Sequence, residues 1–237
     1  MVPIAFVAGA TGYTGREVVR ALAERGVQVV AHVRPDSSRL EEWRRRFGAL
    51  GAGLDTTAWD EDAMAATLAS GNITHVFALL GTTRARAQAE GASYDSVDYG
   101  LTAMLIRAAA RMPTHPRFVY LSSLGVTEGT RNPYLQARAR AEQELRSSGL
   151  AWTIARPSFI TGDDRDERRL GERVAATVAD AGLGLLGRLG ATGLRDRYSS
   201  LTGAELADAL VHHAFAPESL EAILEADVLH LPAAARP

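Results

Sequence analysis

The chain has 237 residues, of which 46% are hydrophobic and 23% charged, enough to bury a sizeable core and too apolar for wholesale disorder. Its 26 basic and 28 acidic residues leave a net charge of −2, which gives no electrostatic footprint for nucleic acid or an anionic membrane surface. Cysteine is absent and all 26 basic residues are Arg, so disulfides, thiolate metal sites, cysteine nucleophiles, a Walker-type phosphate loop and Schiff-base chemistry are excluded.

The first residues lack a basic n-region, and the apolar run from Ile4 to Ala8 stops in a glycine turn rather than extending as a signal peptide. No apolar stretch approaches membrane-spanning length, and a cytoplasmic protein is the default expectation. From there short apolar runs alternate with stretches of helical period, the pattern of a parallel sheet covered by helices. Ile4 to Ala8 is the first strand; Arg16 to Arg25 is a helix with Val18, Val19, Leu22 and Ala23 on one face, ended by Gly26. Val27 to Val33 is the second strand, followed by a charged helix from Ser37 to Phe47 capped by Ser37 or Ser38. The third strand falls within Ala52 to Asp55, a helix within Asp60 to Ala69, and the fourth strand within His75 to Leu80. A long helix is expected over Tyr94 to Arg111, a fifth strand over Phe118 to Leu121, and a helix over Pro133 to Ser148 capped by Asn132. Trp152 to Ala155 is the sixth strand, halted at Arg156-Pro157. After Pro157 the rhythm breaks into a charged stretch, a Gly/Leu-rich stretch over 181–193, a helix from Ala204 to Phe215 and a β-like end over Ala222 to Leu231. The expectation is an α/β, Rossmann-like, doubly wound parallel sheet of strand order 3-2-1-4-5-6. Residues 1–157 form its core, and residues 158–237 a small C-terminal substrate lobe packed on it as one structural unit.

Gly9-Ala10-Thr11-Gly12-Tyr13-Thr14-Gly15 lies between the first strand and the first helix, where a dinucleotide-binding turn must lie. Glycines there permit the tight turn, the close approach of a pyrophosphate and helix–strand packing, with the helix N-terminus facing the phosphates. An acid at the end of the second strand would accept from the ribose 2′-hydroxyl of NAD. The sequence instead reads Ala31-His32-Val33-Arg34-Pro35, and the planar fork of Arg34 suits a 2′-phosphate, so NADP(H) is favoured.

The G-x-x-G-x-x-G spacing resembles the atypical and extended short-chain dehydrogenase/reductases. With Gly81-Thr82-Thr83-Arg84, Ala89-Glu90-Gly91, Asp98-Tyr99, Leu121-Ser122-Ser123, Tyr134-Leu135-Gln136, Arg156-Pro157 and Asp164-Arg165 in order, the chain is similar to the Tat-interacting-protein-like, NAD(P)H-binding branch over about residues 4–170. The resemblance implies that Gly9, Thr11, Gly12, Tyr13, Thr14 and Gly15 hold the pyrophosphate and that Arg34 takes the adenosine phosphate. Leu54 and Asp55 would flank the adenine, and Leu80, Gly81 and Thr82 would line the path from adenosine to pyrophosphate. Ser123 falls at the position of the catalytic serine and Tyr134 at that of the catalytic tyrosine. Independently of family, Tyr134 and Arg138 are four apart on an expected helix and share a face. Two departures stand out: the family's Tyr-x-x-x-Lys is Tyr134-x-x-x-Arg138, and position 98, an Asn in many relatives, is Asp98. In a chain without Lys, Arg138 records either genome bias or an inactive site.

Other constellations read as structural. His212 and His213 are adjacent and diverge by about 100° on a helix, so no metal site is expected. Asp163, Asp164, Asp166 and Glu167 among Arg165, Arg168 and Arg169 read as a solvated helix start, while Arg84 and Arg86 read equally as reaching a substrate anion or as packing or pairing with Glu90. Leu183 to Leu189 reads as a lid or packed loop, because Arg188 alone supplies charge near it. The resulting expectation is an NADP(H)-dependent oxidoreductase of a small, fairly apolar carbonyl or alcohol, acting as a monomer or homodimer without nucleic acid or membrane. Ser123 and Tyr134 would be catalytic, with Arg138 both lowering the Tyr134 pKa and holding the nicotinamide ribose. A non-catalytic NADP(H) sensor and a sugar-nucleotide epimerase or dehydratase are the alternatives, the latter disfavoured by the short C-terminal region.

Overall fold

The computed structural model describes residues 2–81, 93–158, 160–161 and 200–231. A seven-stranded parallel sheet runs in the order β3-β2-β1-β4-β5-β6-β9. Its strands are β1 (Ile4–Ala8), β2 (Gln28–His32), β3 (Gly53–Asp55), β4 (His75–Ala78), β5 (Arg117–Leu121), β6 (Trp152–Arg156) and β9 (Ala222–Glu225). β7 (Ile160–Thr161) and β8 (Leu201–Thr202) pair separately, also in parallel. Burial on both faces explains why the strands read as continuous apolar runs.

One face is covered by α1 (Tyr13–Glu24), α2 (Leu40–Ala49) and α6 (Gly203–Phe215), with Val18, Leu22, Phe47, Leu206 and Leu210 packed on Val7, Phe77 and Val119. The other face carries α3 (Glu61–Ser70), α4 (Thr102–Ala110) and α5 (Pro133–Arg146). There Met64, Leu68, Ile106 and Leu145 pack on Phe6, Phe118 and Ile154. Each such large side chain contributes about 1.5–3 kcal/mol of burial. Helices on both faces make the sheet doubly wound, and the expected strand order is found with one strand added at the β6 edge.

That addition comes from the C-terminal region. β9 pairs with β6, Thr153 opposite Ala222 and Arg156 opposite Glu225. α6 packs within the α1 face of the core, and the described part of 158–237 is thus built into the three-layer sandwich. The charged stretch 163–169, the Gly/Leu-rich stretch 181–193 and residues 82–92, which include Thr82, Arg84, Arg86 and Glu90, lie outside the described residues.

Three helices differ from the sequence reading, and the first, α1, begins at Tyr13 rather than Arg16. α2 begins at Leu40 with Arg39 as its N-cap, because the backbone N–H of Ser37 donates to Arg34 O and that of Leu40 to Ser37 O, spending Ser37 in a turn after Pro35. The expected long helix over 94–111 is divided: Tyr94–Leu101 is π-helical, capped by Ser93 in a reciprocal bond with Ser96, and only Thr102–Ala110 is α-helical. π-helical turns are concentrated at functional sites. Asn132 does cap α5, its side-chain oxygen accepting from the backbone N–H groups of Tyr134 and Leu135 at 3.0 and 3.4 Å.

Candidate dinucleotide site

In this sheet the order reverses between β1 and β4, and a crevice at the carboxyl edge is the expected ligand position. Gly9 follows β1 with φ +83°, and a Cβ on it would lie 2.6 Å from the Leu79 carbonyl oxygen beyond β4, so glycine is required by backbone and neighbour alike. A Cβ on Gly15 would collide with the Gly9 carbonyl, so this glycine lets α1 sit down on the turn. Gly12 is different. It is exposed, its φ of −72° and ψ of 169° suit any residue, and a Cβ would only approach Gly9 O to 3.2 Å. The fold makes little demand for glycine here. An anion approaching the α1 N-terminus, which has no side-chain cap, would supply the demand. The turn therefore fits a pyrophosphate.

The remaining expected contacts lie along the same edge. Arg34 follows β2, exposed, with its Nε 3.8 Å from Asp36. Asp55 ends β3, but its carboxylate accepts from the backbone N–H and hydroxyl of Thr57 at 3.1 and 2.8 Å, and Leu54 packs toward the α1 face. Beside Asp55, the buried His32 ring is bonded to Thr57 O at 2.9 Å, and burial lowers its pKa. Tyr13 turns to the C-terminal region: its hydroxyl accepts from the backbone N–H of Gly203 at 3.4 Å, and a Cβ at Gly203 would touch the ring at 2.5 Å. Thr14 is buried and Thr11 half-buried. Leu80 and Gly81 follow β4.

At the β4–β5 end of the edge, Ser123 follows β5 and its hydroxyl donates to Leu124 O at 3.3 Å. The half-buried Tyr134 ring meets Tyr94 edge-on, with ring centroids 5.4 Å apart. Arg138 does lie on the Tyr134 face of α5, its guanidinium carbon 5.2 Å from that ring's centre. Its two terminal nitrogens are already engaged. Nη1 donates to Leu121 O at 2.6 Å and Tyr120 Oη at 3.3 Å; Nη2 donates to Leu80 O at 3.1 Å and Asp98 Oδ1 at 2.7 Å. The side chain is 6% exposed and that of Asp98 is fully buried. Burial opposes the Arg138 charge, but Tyr120, Tyr134 and Asp98 outweigh it and hold its pKa above the ordinary value. Burial pushes the Tyr120 hydroxyl up to about 12. A nicotinamide ribose would have to compete with four protein acceptors for this fork.

Sequence reading missed a second buried network one turn further along α5. Glu142, 1% exposed, accepts from Ser122 Oγ at 2.5 Å and from Arg156 Nε and Nη2 at 3.0 and 2.6 Å; Arg156 Nη1 also donates to Glu225 at 3.0 Å. The network ties α5 to β5, β6 and β9. A signal was present, since Leu135, Arg138, Glu142 and Leu145 fall on one helical stripe, and polar residues on a buried stripe must be partnered.

A family model described as NAD(P)H-binding matches residues 9–181. The mitochondrial protein fmp52-1 of Aspergillus terreus is 30% identical over 200 residues, covering 81% of this chain and 78% of its own. Subunit 9 of the mitochondrial NADH dehydrogenase (ubiquinone) 1 alpha subcomplex from Dictyostelium discoideum is 26% identical over 167 residues, so this chain spans 43% of that relative's length. In fold, a Bacillus halodurans protein provisionally assigned to the NAD-dependent epimerase/dehydratases aligns with a TM-score of 0.68 at 20% identity, over 96% of this chain and 98% of its own. The oxidoreductase ylbE of Lactococcus lactis aligns at 0.63 and 17% identity, over 93% and 88% of the two chains. The cytoplasmic expectation is corrected by these comparisons, because the matching curated relatives are all named mitochondrial proteins. Among the described residues no helix is long and apolar enough to cross a membrane, and no group of three or more His, Asp or Glu side chains could hold a metal ion. With the glycine turn, the doubly wound sheet and a match over residues 9–181, the chain belongs to the NAD(P)H-binding family.

Proposed function

We propose that the protein is an NADP(H)-dependent reductase of a small, fairly apolar carbonyl compound. The observation that supports the reading is Arg138 beside the Tyr134 ring with its fork on the strand ends at Leu80 O and Leu121 O, Ser123 lying two residues beyond Leu121 on the same carboxyl edge as a glycine turn at whose Gly12 the fold makes little demand for glycine. A bound reduced nicotinamide would supply the hydride. Tyr134 donates the proton to the carbonyl oxygen, Ser123 turns from Leu124 O to hydrogen-bond that oxygen, and Arg138 braces the edge by joining Leu80 O to Leu121 O. Arg34 takes the adenosine 2′-phosphate, and the NADP preference rests on it alone. No metal takes part, and a small molecule is the only partner the reading needs. NADPH deuterated at the transferable position, incubated with a panel of small aldehydes and ketones, should yield deuterated alcohol. Carbonyls that stay unlabelled while NADPH binds would reject the reading.

A second reading, a nucleotide-binding protein without turnover, is favoured by the full occupation of the Arg138 fork. It accords with relatives named as a subunit of a larger dehydrogenase. It predicts NADPH binding with no labelled product from any carbonyl.

A further inference from the structure

Arg138 and Asp98 form an ion pair sealed from solvent, and the chain is built around it. Asp98 is the buried residue of the π-helical segment Tyr94–Leu101. It meets Nη2 at 2.7 Å, while a Cβ on Gly81 would lie 2.8 Å from that same nitrogen and 3.5 Å from Asp98 Oδ1. Gly81 thus leaves room for the pair, beyond whatever it offers a cofactor. Arg138 Nε is buried with no hydrogen-bond partner, a cost accepted so that the fork can reach two strand ends and the carboxylate together. Lys could not span those acceptors, since its ammonium is a point charge without a fork.

The same geometry decides what Tyr134 faces. From its own helix it meets the Arg138 guanidinium, from the π-helical segment Tyr94, and through Arg138 the Tyr120 hydroxyl of β5 and the Asp98 carboxylate. Nearby, Arg140 pairs with Asp95 and lies over the Tyr99 ring, while Tyr99 donates to Glu144; both ion-pair partners Arg140 and Asp95 are exposed.

We propose that Asp98 is a positioning residue: it locks the Arg138 fork across the β4 and β5 ends and cancels its charge, so that Tyr134 works beside a neutral pair and serves as a proton donor. The inference rests on the reductase reading and supplies the protonated Tyr134 that carbonyl reduction uses. The carbonyl carbon gains a hydride from reduced nicotinamide, the oxygen takes the Tyr134 proton, and solvent reprotonates the phenolate. A lone cation in place of the pair would favour the phenolate, leaving less of the proton donor.

The test is ultraviolet titration of tyrosine ionisation in the full chain, with thermal melts alongside. It compares wild type, Asp98→Asn and the double variant Asp98→Asn/Arg138→Met, each with and without Tyr134→Phe. Asp98→Asn keeps an acceptor for Nη2 but removes the charge. Its phenolate should appear about 1.5 pH units lower than in wild type, the effect of a unit charge at an assumed separation of about 8 Å and an effective dielectric of 20. The shifted component should lose one tyrosine when Tyr134→Phe is added, any remainder belonging to Tyr120, which titrates higher, at about 12 in wild type. The double variant, with both charges gone, should return to within a few tenths of a unit of wild type. Coincident curves for wild type and folded Asp98→Asn would overturn the proposal. If Asp98→Asn does not fold, the proposal requires the double variant to fold and to titrate like wild type; a double variant that folds no better, or is displaced by a full unit, overturns it equally. The reductase reading fails on a different observable, the absence of labelled alcohol, whatever the titration shows.

Discussion

The three glycines of the turn meet different demands, and substitution should separate them. Gly12→Val places a branched side chain at an exposed, extended position where the added Cβ approaches Gly9 O to 3.2 Å, a contact relieved by a few tenths of an ångström. Losing a favourable N-cap residue costs about 1 kcal/mol, which for a chain of this size lowers the melting temperature by about 2–4 °C. The same side chain fills the mouth of the α1 N-terminus. Each charge-assisted hydrogen bond to the pyrophosphate that it denies is worth about 1.5–3 kcal/mol, so affinity for NADPH and NADH alike should fall by at least about 10- to 150-fold. Gly9→Ala must instead adopt φ +83° with its Cβ 2.6 Å from Leu79 O, and Gly15→Ala must displace the Gly9 carbonyl. Both should lose several kcal/mol of stability, roughly the cost of overpacking with backbone strain added. Circular dichroism melts paired with calorimetric titration read both quantities. Wild-type cofactor affinity in a Gly12→Val variant that melts within a few degrees of wild type would refute the assignment of this turn as the pyrophosphate site.

At the far end of the cofactor, Arg34→Ala should weaken NADPH by roughly 10- to 150-fold and leave NADH nearly unchanged; equal wild-type affinities for the two would remove the case for NADP. Glu142→Gln breaks the buried bond to Arg156 while Glu225 still holds the other end. It should cost about 2–3 kcal/mol, less than the full value of a severed buried pair because Arg156 keeps a partner, and urea denaturation within 0.5 kcal/mol of wild type would show that the network does not anchor α5. Burial pushes the His75 pKa down to about 4, so the folded protein holds the neutral ring. Its contribution is complete above the ordinary value of about 6.5 and lost as pH falls from there through 4, because the unfolded chain binds the proton first. The melting temperature should therefore decline across that window, and His75→Phe, which keeps a ring against Phe215, should flatten the decline; an unchanged slope would contradict it.

What could be read from the chain in advance was whatever is local. β1, the glycine turn and α1 are adjacent in sequence, and their apolar runs, turn residues and Gly26 stop signal lie within one window. The Asn132 cap and the Tyr134–Arg138 face are equally local, and both are found. The π-helical segment over 94–101 was not legible, since its residues carry the same apolar positions as an α-helix and differ only in which carbonyl each N–H reaches. Nor was the partner of Arg138, because Asp98 lies 40 residues away and no periodicity connects them. β9 was too short to show its alignment; its four residues join the sheet through register with β6. Glu142 marks the opposite case, a charged residue on a buried stripe whose partner could have been sought. Arg138 itself was identified correctly as a neighbour of Tyr134, while its expected grip on a ribose meets a fork already shared among Leu80, Leu121, Tyr120 and Asp98.

The central claim is that Tyr134 protonates a carbonyl substrate held over bound NADPH. It is tested most directly by single-turnover NADPH oxidation with an accepted carbonyl in wild type and Tyr134→Phe at saturating cofactor. The account predicts equal NADPH affinity and a rate at least about 10²-fold slower in the variant, the typical worth of a positioned general acid. Equal rates in the two proteins would contradict it.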